Sequence, residues 1–399
     1  MRFMTLNTRR AFALLAAVIF SWPSTSEATN PSFIELTADG NNVQGKIYAR
    51  DDETVWLIQR DGQLEEIEMD SVTAFRQVAS RFQFHSHADI RSSLIKEFGN
   101  KYEYAGTTHY TVCGPRGQAK QYAQVLEKIY RVCHRYFSVR RFKIEQPKHP
   151  LTAIIFPSRK DFAEYCEDDD VTPSRGLRGY YSPDTNRIAL FADPKSSNRQ
   201  QTSSWKLPIP PRNPMPFRSL QRGSVFARQS TFPSIEAGLK DTLIHEATHQ
   251  VAFNFGLHQR IGDNPRWVVE GLATVFEAPG IRDSNNVTNR RDKLNLERYL
   301  RFQNYAKDRR VKGVLAAFVE SDRPFSSVLD AYAESWALTY FLIETRPRAH
   351  ESYLKTIATR DPFEDYDKYD RRDDFETAFG DDLNILEVSF LRYIASLKD

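Results

Sequence analysis

Two histidines four residues apart, with a glutamate directly after the first, stand at His245-Glu246-Ala247-Thr248-His249. At about 3.6 residues per helical turn, positions i and i+4 face the same way, so both imidazoles of an HExxH helix can hold one cation. Glu246 follows the first histidine by one position. It therefore projects beside the cation, where a bound water would sit, and not toward the cation itself. Zinc lowers the pKa of such a water, and a neighbouring carboxylate takes its proton as general base. A third ligand is expected from Pro265-Arg266-Trp267-Val268-Val269-Glu270-Gly271-Leu272-Ala273. Glu270 stands 21 positions after His249, among Trp267, Val268, Val269, Leu272 and Val275. A carboxylate in such company is costly unless it is paired or binds a cation. Two histidines and one glutamate, with a fourth position left for water, make a catalytic zinc set. His258 is expected to be a loop residue, and His85, His87, His109, His134, His149 and His350 have no partner at ligand spacing.

The elements that must carry these residues are legible around them. Ile235, Leu239, Thr242, Leu243 and Val251 recur at helical steps, with Ser234 as N-cap and Gly256 as stop. Gly262-Asp263-Asn264-Pro265 then lets a second helix return antiparallel, with proline in its first turn. Upstream, residues 108–113 and 151–156 read as strands, and 118–137 as a helix with apolar residues at three- and four-residue steps. Ser158 is a candidate N-cap for a helix after 151–156. Residues 179–181 and 187–191 flank Pro183-Asp184-Thr185-Asn186 as a hairpin. Residues 195–232 are rich in Ser, Gln, Arg and Pro, a long irregular insertion that is either a loop or a functional flap. Residues 32–78 alternate apolar and polar types in short runs, punctuated by Asp39-Gly40 and Asp61-Gly62, a strong hairpin signal. A small SH3-like β-barrel is expected there, either binding a peptide or glycan or docking on the rest of the chain. Residues 79–106 read as a linker with a short helix, 283–312 as charged and mostly helical, and 361–376 as a solvated loop. Residues 346–399 form a C-terminal helical extension that ends in an amphipathic helix.

The HEATHQ stretch and the P-x-W-x-x-EGLA stretch together resemble the gluzincin branch of HExxH metallopeptidases, the peptidase-MA-like proteins. Within it they are similar to exported bacterial domains of unknown function. The resemblance spans roughly residues 105–345 and is sharpest over 241–277. It implies an α+β protein whose residues 107–345 form a thermolysin-like catalytic domain of mixed sheet plus helices. It further implies zinc on His245, His249 and Glu270, with Glu246 as base. Some gluzincins place an aspartate four residues after the third ligand, to orient a histidine; here that position is Thr274. Ala252 and Phe255 stand where the HExxHxxGxxH extension needs glycine and histidine, so a metzincin reading fails. Related families carry a tyrosine-led helix after the EGLA helix. That similarity makes Tyr332 the candidate oxyanion donor, against the alternative of a core tyrosine. A peptide substrate would add as a strand beside 187–191, expected to be a sheet edge, with 195–232 as a lid.

Length and charge narrow the remaining classes. With 399 residues the chain is long enough for two or three domains. Lys plus Arg number 55 against 52 for Asp plus Glu, a net +3, of which Arg2, Arg9, Arg10 and Glu27 supply +2. A near-neutral body gives no charge argument for nucleic acid or an anionic membrane as partner. Three cysteines are too few for a disulfide scaffold; either Cys113 and Cys133 pair, or all three are buried thiols. Arg9 and Arg10 precede an apolar run over residues 11–22, too short to span a bilayer, and Ser26-Glu27-Ala28 offers a cleavage site. Residues 1–28 therefore read as a signal peptide, with a retained anchor helix as the alternative. The chain is expected to be exported to the periplasm or beyond, by the Sec or twin-arginine route, with no further membrane-spanning helix. These readings combine into a zinc-dependent metallohydrolase, a peptidase acting on a peptide or protein. The rival is a non-catalytic exported binding protein with a residual metal site.

Overall fold

The structure is a computed structural model that describes residues 32–173, 176–192, 237–282 and 290–398. The expected signal peptide, 1–28, and the expected insertion, 195–232, lie outside the described residues. The alternating segment at the start builds β1 (Phe33–Ala38), β2 (Asn41–Arg50), β3 (Thr54–Ile58), β4 (Leu64–Glu68) and β5 (Val72–Ala79). They pair antiparallel in the order β4-β3-β2-β1-β5. Asp39 and Gly40, at φ 51° and 79°, make the expected tight turn between β1 and β2. Ile34, Leu36 and Ala38 of β1 meet Val55, Leu57 and Ile67 in a small core.

The expected closed barrel does not form. No ladder joins β4 to β5, which are the two edges of an open sheet. Seven of the eight residues of β5 are exposed, Phe75 and Val78 among them, and among the described residues the strand pairs with β1 alone. The sheet leans on the body of the chain instead. Ile58 and Leu64 pack with Ile261, and the Leu64 N–H donates to the Asp184 carbonyl at 2.7 Å.

The second sheet runs β6 (Glu103–Gly106), β7 (Tyr110–Gly114), β8 (Leu151–Phe156), β9 (Gly179–Ser182) and β10 (Arg187–Phe191), in the order β6-β7-β8-β10-β9. β7, β8 and β10 are parallel, and β6 and β9 add antiparallel at the edges. Residues 187–191 are thus not the edge expected from sequence. The turn at 183–186, with Asn186 at φ 55°, folds β9 back on β10, and among the described residues β9 holds the free edge. Every residue of β7 and β8 is buried, because helices cover both faces. α1 (His87–Phe98) and α3 (Arg159–Asp168) bring Ile90, Leu94, Phe162 and Cys166 to one face. α2 (Ala119–Val139) and α4 (Ala237–Asn254) cover the other. Ser158 caps α3 as expected. α1 starts on a reciprocal capping box between Ser86 and Asp89. The segment expected as a linker with a short helix, 79–106, contains a helix, α1, and adds β6 to this layer. Cys113 and Cys133 sit in the cores on opposite faces of the sheet, which rules out their pairing; all three cysteines are free and buried.

Eight further helices complete a mixed α and β architecture with twelve α-helices among the described residues. They are α5 (Arg266–Phe276), α6 (Pro279–Arg282), α7 (Leu296–Asp308), α8 (Val314–Glu320), α9 (Val328–Thr345), α10 (Pro347–Ala358), α11 (Lys368–Phe379) and α12 (Leu383–Ala395). α5 and α9 pack closely through Gly271, where a Cβ would stand 2.7 Å from the Ser335 carbonyl oxygen. Residues 361–376, expected as a solvated loop, contain most of α11, capped by Asp367 and anchored by the buried Phe375. The C-terminal extension shares the main core through Tyr353, Phe375 and Phe390. A buried ion triad helps to fix it: Arg310 reaches Glu334 on α9 at 2.7 Å and Glu387 on α12 at 2.8 Å. No described helix is long and apolar enough to cross a membrane.

Candidate metal centre

α4 is held to the second sheet by polar bonds on one face, which leaves its two histidines for another. Gln250 donates from Nε2 to the carbonyls of Thr152 at 3.1 Å and Asn186 at 2.7 Å. One turn on, Asn254 bonds the Asn186 side chain. The helix ends where the sequence places its stop. Gly256, at φ 70°, lets the Leu257 N–H reach the Ala252 carbonyl and its own N–H reach that of Phe253. The expected N-cap, Ser234, lies outside the described residues. α5 returns after Gly262, and Asp322 accepts a hydrogen bond from the Arg266 N–H at 3.0 Å, answering an otherwise orphaned helix-start donor.

His245, His249 and Glu270 converge. His245 Nε2 lies 3.1 Å from Glu270 Oε2 and 3.0 Å from His249 Nε2; His249 Nε2 lies 3.6 Å from Glu270 Oε2. A tetrahedral ion bound at ~2.0–2.1 Å holds its ligand atoms about 3.3 Å apart, so the donor set fits such an ion. No other group of three such residues converges among the described residues. Burial opposes the charged forms here, yet mutual hydrogen bonding wins. Bonds from Glu270 and Glu277 carry His245 well above its ordinary pKa, and His245 and His249 hold Glu270 well below its own. Glu246 stands beside the cluster. Burial pushes its carboxyl up, against the pull of both histidines and a hydrogen bond from the Tyr181 main chain on β9. The free sheet edge therefore runs next to the expected base.

Glu277 is the residue that sequence reasoning missed. His245 Nδ1–H donates to Glu277 Oε1 at 2.8 Å. With Nδ1 donating, the neutral ring keeps its lone pair on Nε2, the atom turned toward His249 and Glu270. Glu277 is itself held: Asn295 donates from Nδ2 to its Oε2 at 2.6 Å, and Arg298 Nε lies 3.8 Å away. Thr274, the position where an orienting aspartate was sought, does not play that part. Its hydroxyl donates back to the carbonyls of Glu270 and Gly271, at 2.8 and 2.9 Å, within its own helix. The available signal was a seven-residue step, two helical turns past Glu270 on the same face. His249 contrasts with His245, because its Nδ1 is buried without a hydrogen-bond partner.

Tyr332 reaches the site. Its ring stacks 6.3 Å from that of His245, and its hydroxyl is bonded by Arg266 and Glu270. Burial, then the Glu270 charge, push that hydroxyl's pKa up, so it remains a proton donor. Arg298 lies 5.4 Å from the Tyr332 ring centre, and Arg266 lies 4.7 Å from that of Phe325. His258 is apart from the cluster, as expected. It is buried against Phe253, and burial pushes it down to about 3.

Residues 240–364 match a family described as "Protein of unknown function (DUF1570)". No curated protein matches the chain. The matched stretch includes all three converging side chains, Glu246, Glu277 and Tyr332.

Proposed function

We propose that the chain is an exported zinc-dependent metallohydrolase, and within that class a peptidase of gluzincin, thermolysin-like type. The observation that carries this is the convergence of His245 Nε2, His249 Nε2 and Glu270 Oε2, with the Glu246 carboxylate beside them. Those three side chains would hold the ion. Zinc supplies Lewis acidity there, polarising a carbonyl and lowering the pKa of water. Glu246 takes a proton from the attacking water and passes it to the departing amine. Tyr332 donates a hydrogen bond to the carbonyl oxygen as negative charge grows on it. An extended peptide pairs with the free edge of β9, in place of the 187–191 strand, which brings its main chain past Glu246. Glu277 holds the His245 ring in one tautomer and one orientation throughout. Export is supported by Arg9 and Arg10, the apolar run over 11–22 and the small residues at Ser26 and Ala28.

Purified protein tests this reading. Bound zinc is measured first, then turnover of a broad peptide library by wild type and Glu246→Gln. The variant is expected to keep its zinc and lose about 10²–10⁴ in rate. Zinc without turnover by the wild type would reject the peptidase in favour of a metal-bearing binding protein.

A further inference from the structure

The outer face of α12 carries apolar residues that stand open to solvent. Ile385 is 65% exposed and Val388 43%, and a step of three places them on one side of the helix. Across a groove from them, Val311 on the segment between α7 and α8 is 67% exposed. The opposite side of α12, with Leu386, Phe390 and Ile394, packs into the main core. The helix therefore has apolar side chains on both sides, where a helix bordering only water keeps its outer face polar. The groove is not built for a charged ligand. Its floor holds Arg310 and Glu387, which answer each other at 2.8 Å, and Arg310 also reaches Glu334 at 2.7 Å. What remains open is the apolar rim.

Charges flank the apolar pair in a self-complementary way. Asp381 is exposed at the entry to α12, and Arg392 is exposed near its end. Among the described residues neither side chain has an ion-pair or hydrogen-bond partner. The midpoint between Ile385 and Val388 along the chain is also the midpoint between Asp381 and Arg392. A two-fold axis through that point, with a second α12 laid antiparallel, serves both pairs at once. It sets Ile385 of each copy opposite Val388 of the other, and Asp381 of each opposite Arg392 of the other. A parallel arrangement would set like charge against like at both ends.

We propose that this face of α12 binds the same face of a second copy of this chain, as an antiparallel pair of helices about a two-fold axis. Such an interface is isologous: whatever one copy offers, the other answers with the same patch reversed. The groove beside Val311 takes the flank of the partner helix, which adds apolar burial to the central contact. One helix pair is a small interface, so the dimer is reversible and depends on concentration. The proposal goes beyond the metallohydrolase reading and does not rest on it.

Sedimentation equilibrium of the purified full chain tests it, and a monomer–dimer equilibrium is expected. Ile385→Asp should weaken dimerisation by about tenfold or more; an acid in the first turn of α12 suits the helix, so this variant folds. Asp381→Arg and Arg392→Asp, each alone, should weaken it similarly, because each meets its own charge at both contacts. Asp382 is left in place, since it caps α12 by accepting the Ile385 N–H at 3.0 Å. The two charge-reversed chains are then mixed one to one. Together they present opposite charges at both contacts, so a heterodimer within about threefold of the wild-type affinity is expected. Circular dichroism checks the fold of each variant. The proposal is overturned by a wild-type chain that stays monomeric to about 1 mM, by a dimer that Ile385→Asp leaves unchanged, or by a mixture of the two reversed chains that stays monomeric.

Discussion

The two sheets of this chain are stabilised in different ways. β7 and β8 are buried along their whole length between helices on both faces, whereas β5 of the first sheet is exposed at seven of eight positions. The first sheet closes only a small core of its own. It meets the body at several places, two of which are the 183–184 turn that ends β9 and the 257–264 segment that joins α4 to α5. Arg260 ties those two places together, donating to the carbonyls of Pro183 at 2.7 Å and Asp184 at 3.1 Å. The difference is instructive. Positional precision resides where burial is two-sided and polar groups are answered, as Gln250 is by Thr152 and Asn186. The first sheet acts as a brace on the turns that lead into the site.

That contrast can be broken or sharpened by substitution. The largest effect is expected at the third ligand of the proposed site. Glu270→Ala should abolish stoichiometric zinc binding, read by metal analysis after gel filtration, while the protein stays folded. Next comes Glu277. Its removal as Glu277→Ala should weaken zinc affinity about 10–100-fold in a chelator competition. Glu277→Gln, which still accepts a hydrogen bond from Nδ1, should lose less.

Acid should reveal the buried histidines of the body. Burial pushes His350, 2% exposed, down to about 4. The unfolded chain takes up this proton near pH ~6.5, before the folded one does. Stability is therefore full above that value and declines as pH falls toward about 4, by on the order of 3 kcal/mol for this residue. His149, at the junction of the first sheet with the body, is also pushed down to about 4 and has the same sign. Urea titrations across this range give the slope; a flat profile would mean that His350 is hydrated in the fold. Gly271→Ala should cost about 1–3 kcal/mol in the same assay, because its methyl group meets Ser335 and Thr339 of α9. At the far end of the scale, Val78→Thr on the exposed β5 should move stability by no more than about 0.5 kcal/mol. A large loss there would show that β5 is covered in solution.

Legibility followed the range of the interactions. The histidine pair, Gly256 as stop and the return of Glu270 were readable, because helical period and turn chemistry are local. Glu277 was not. It lies at the end of α5, just before Ala278 and Pro279, where a chain reader sees an exit, and its role depends on Asn295 and Arg298 arriving from α7. The hairpin of β9 and β10 was readable from its turn. Its place in the sheet was not, since β10 is made interior by pairing with β8, more than thirty residues away. Alternation foretold four of the first five strands but not whether the sheet's edges would meet. The capping box at Ser86 and Asp89 was a local signal for the short helix, α1, but its packing against β7 and β8 depends on long-range contacts.

The most direct test of the central claim is X-ray absorption at the zinc edge on the purified full-length chain. The account predicts one zinc per chain with an inner shell of two imidazole nitrogens and carboxylate or water oxygens at ~2.0–2.1 Å, lost in Glu270→Ala. A chain that takes up no zinc, or one whose bound zinc keeps the same inner shell in Glu270→Ala, would contradict it.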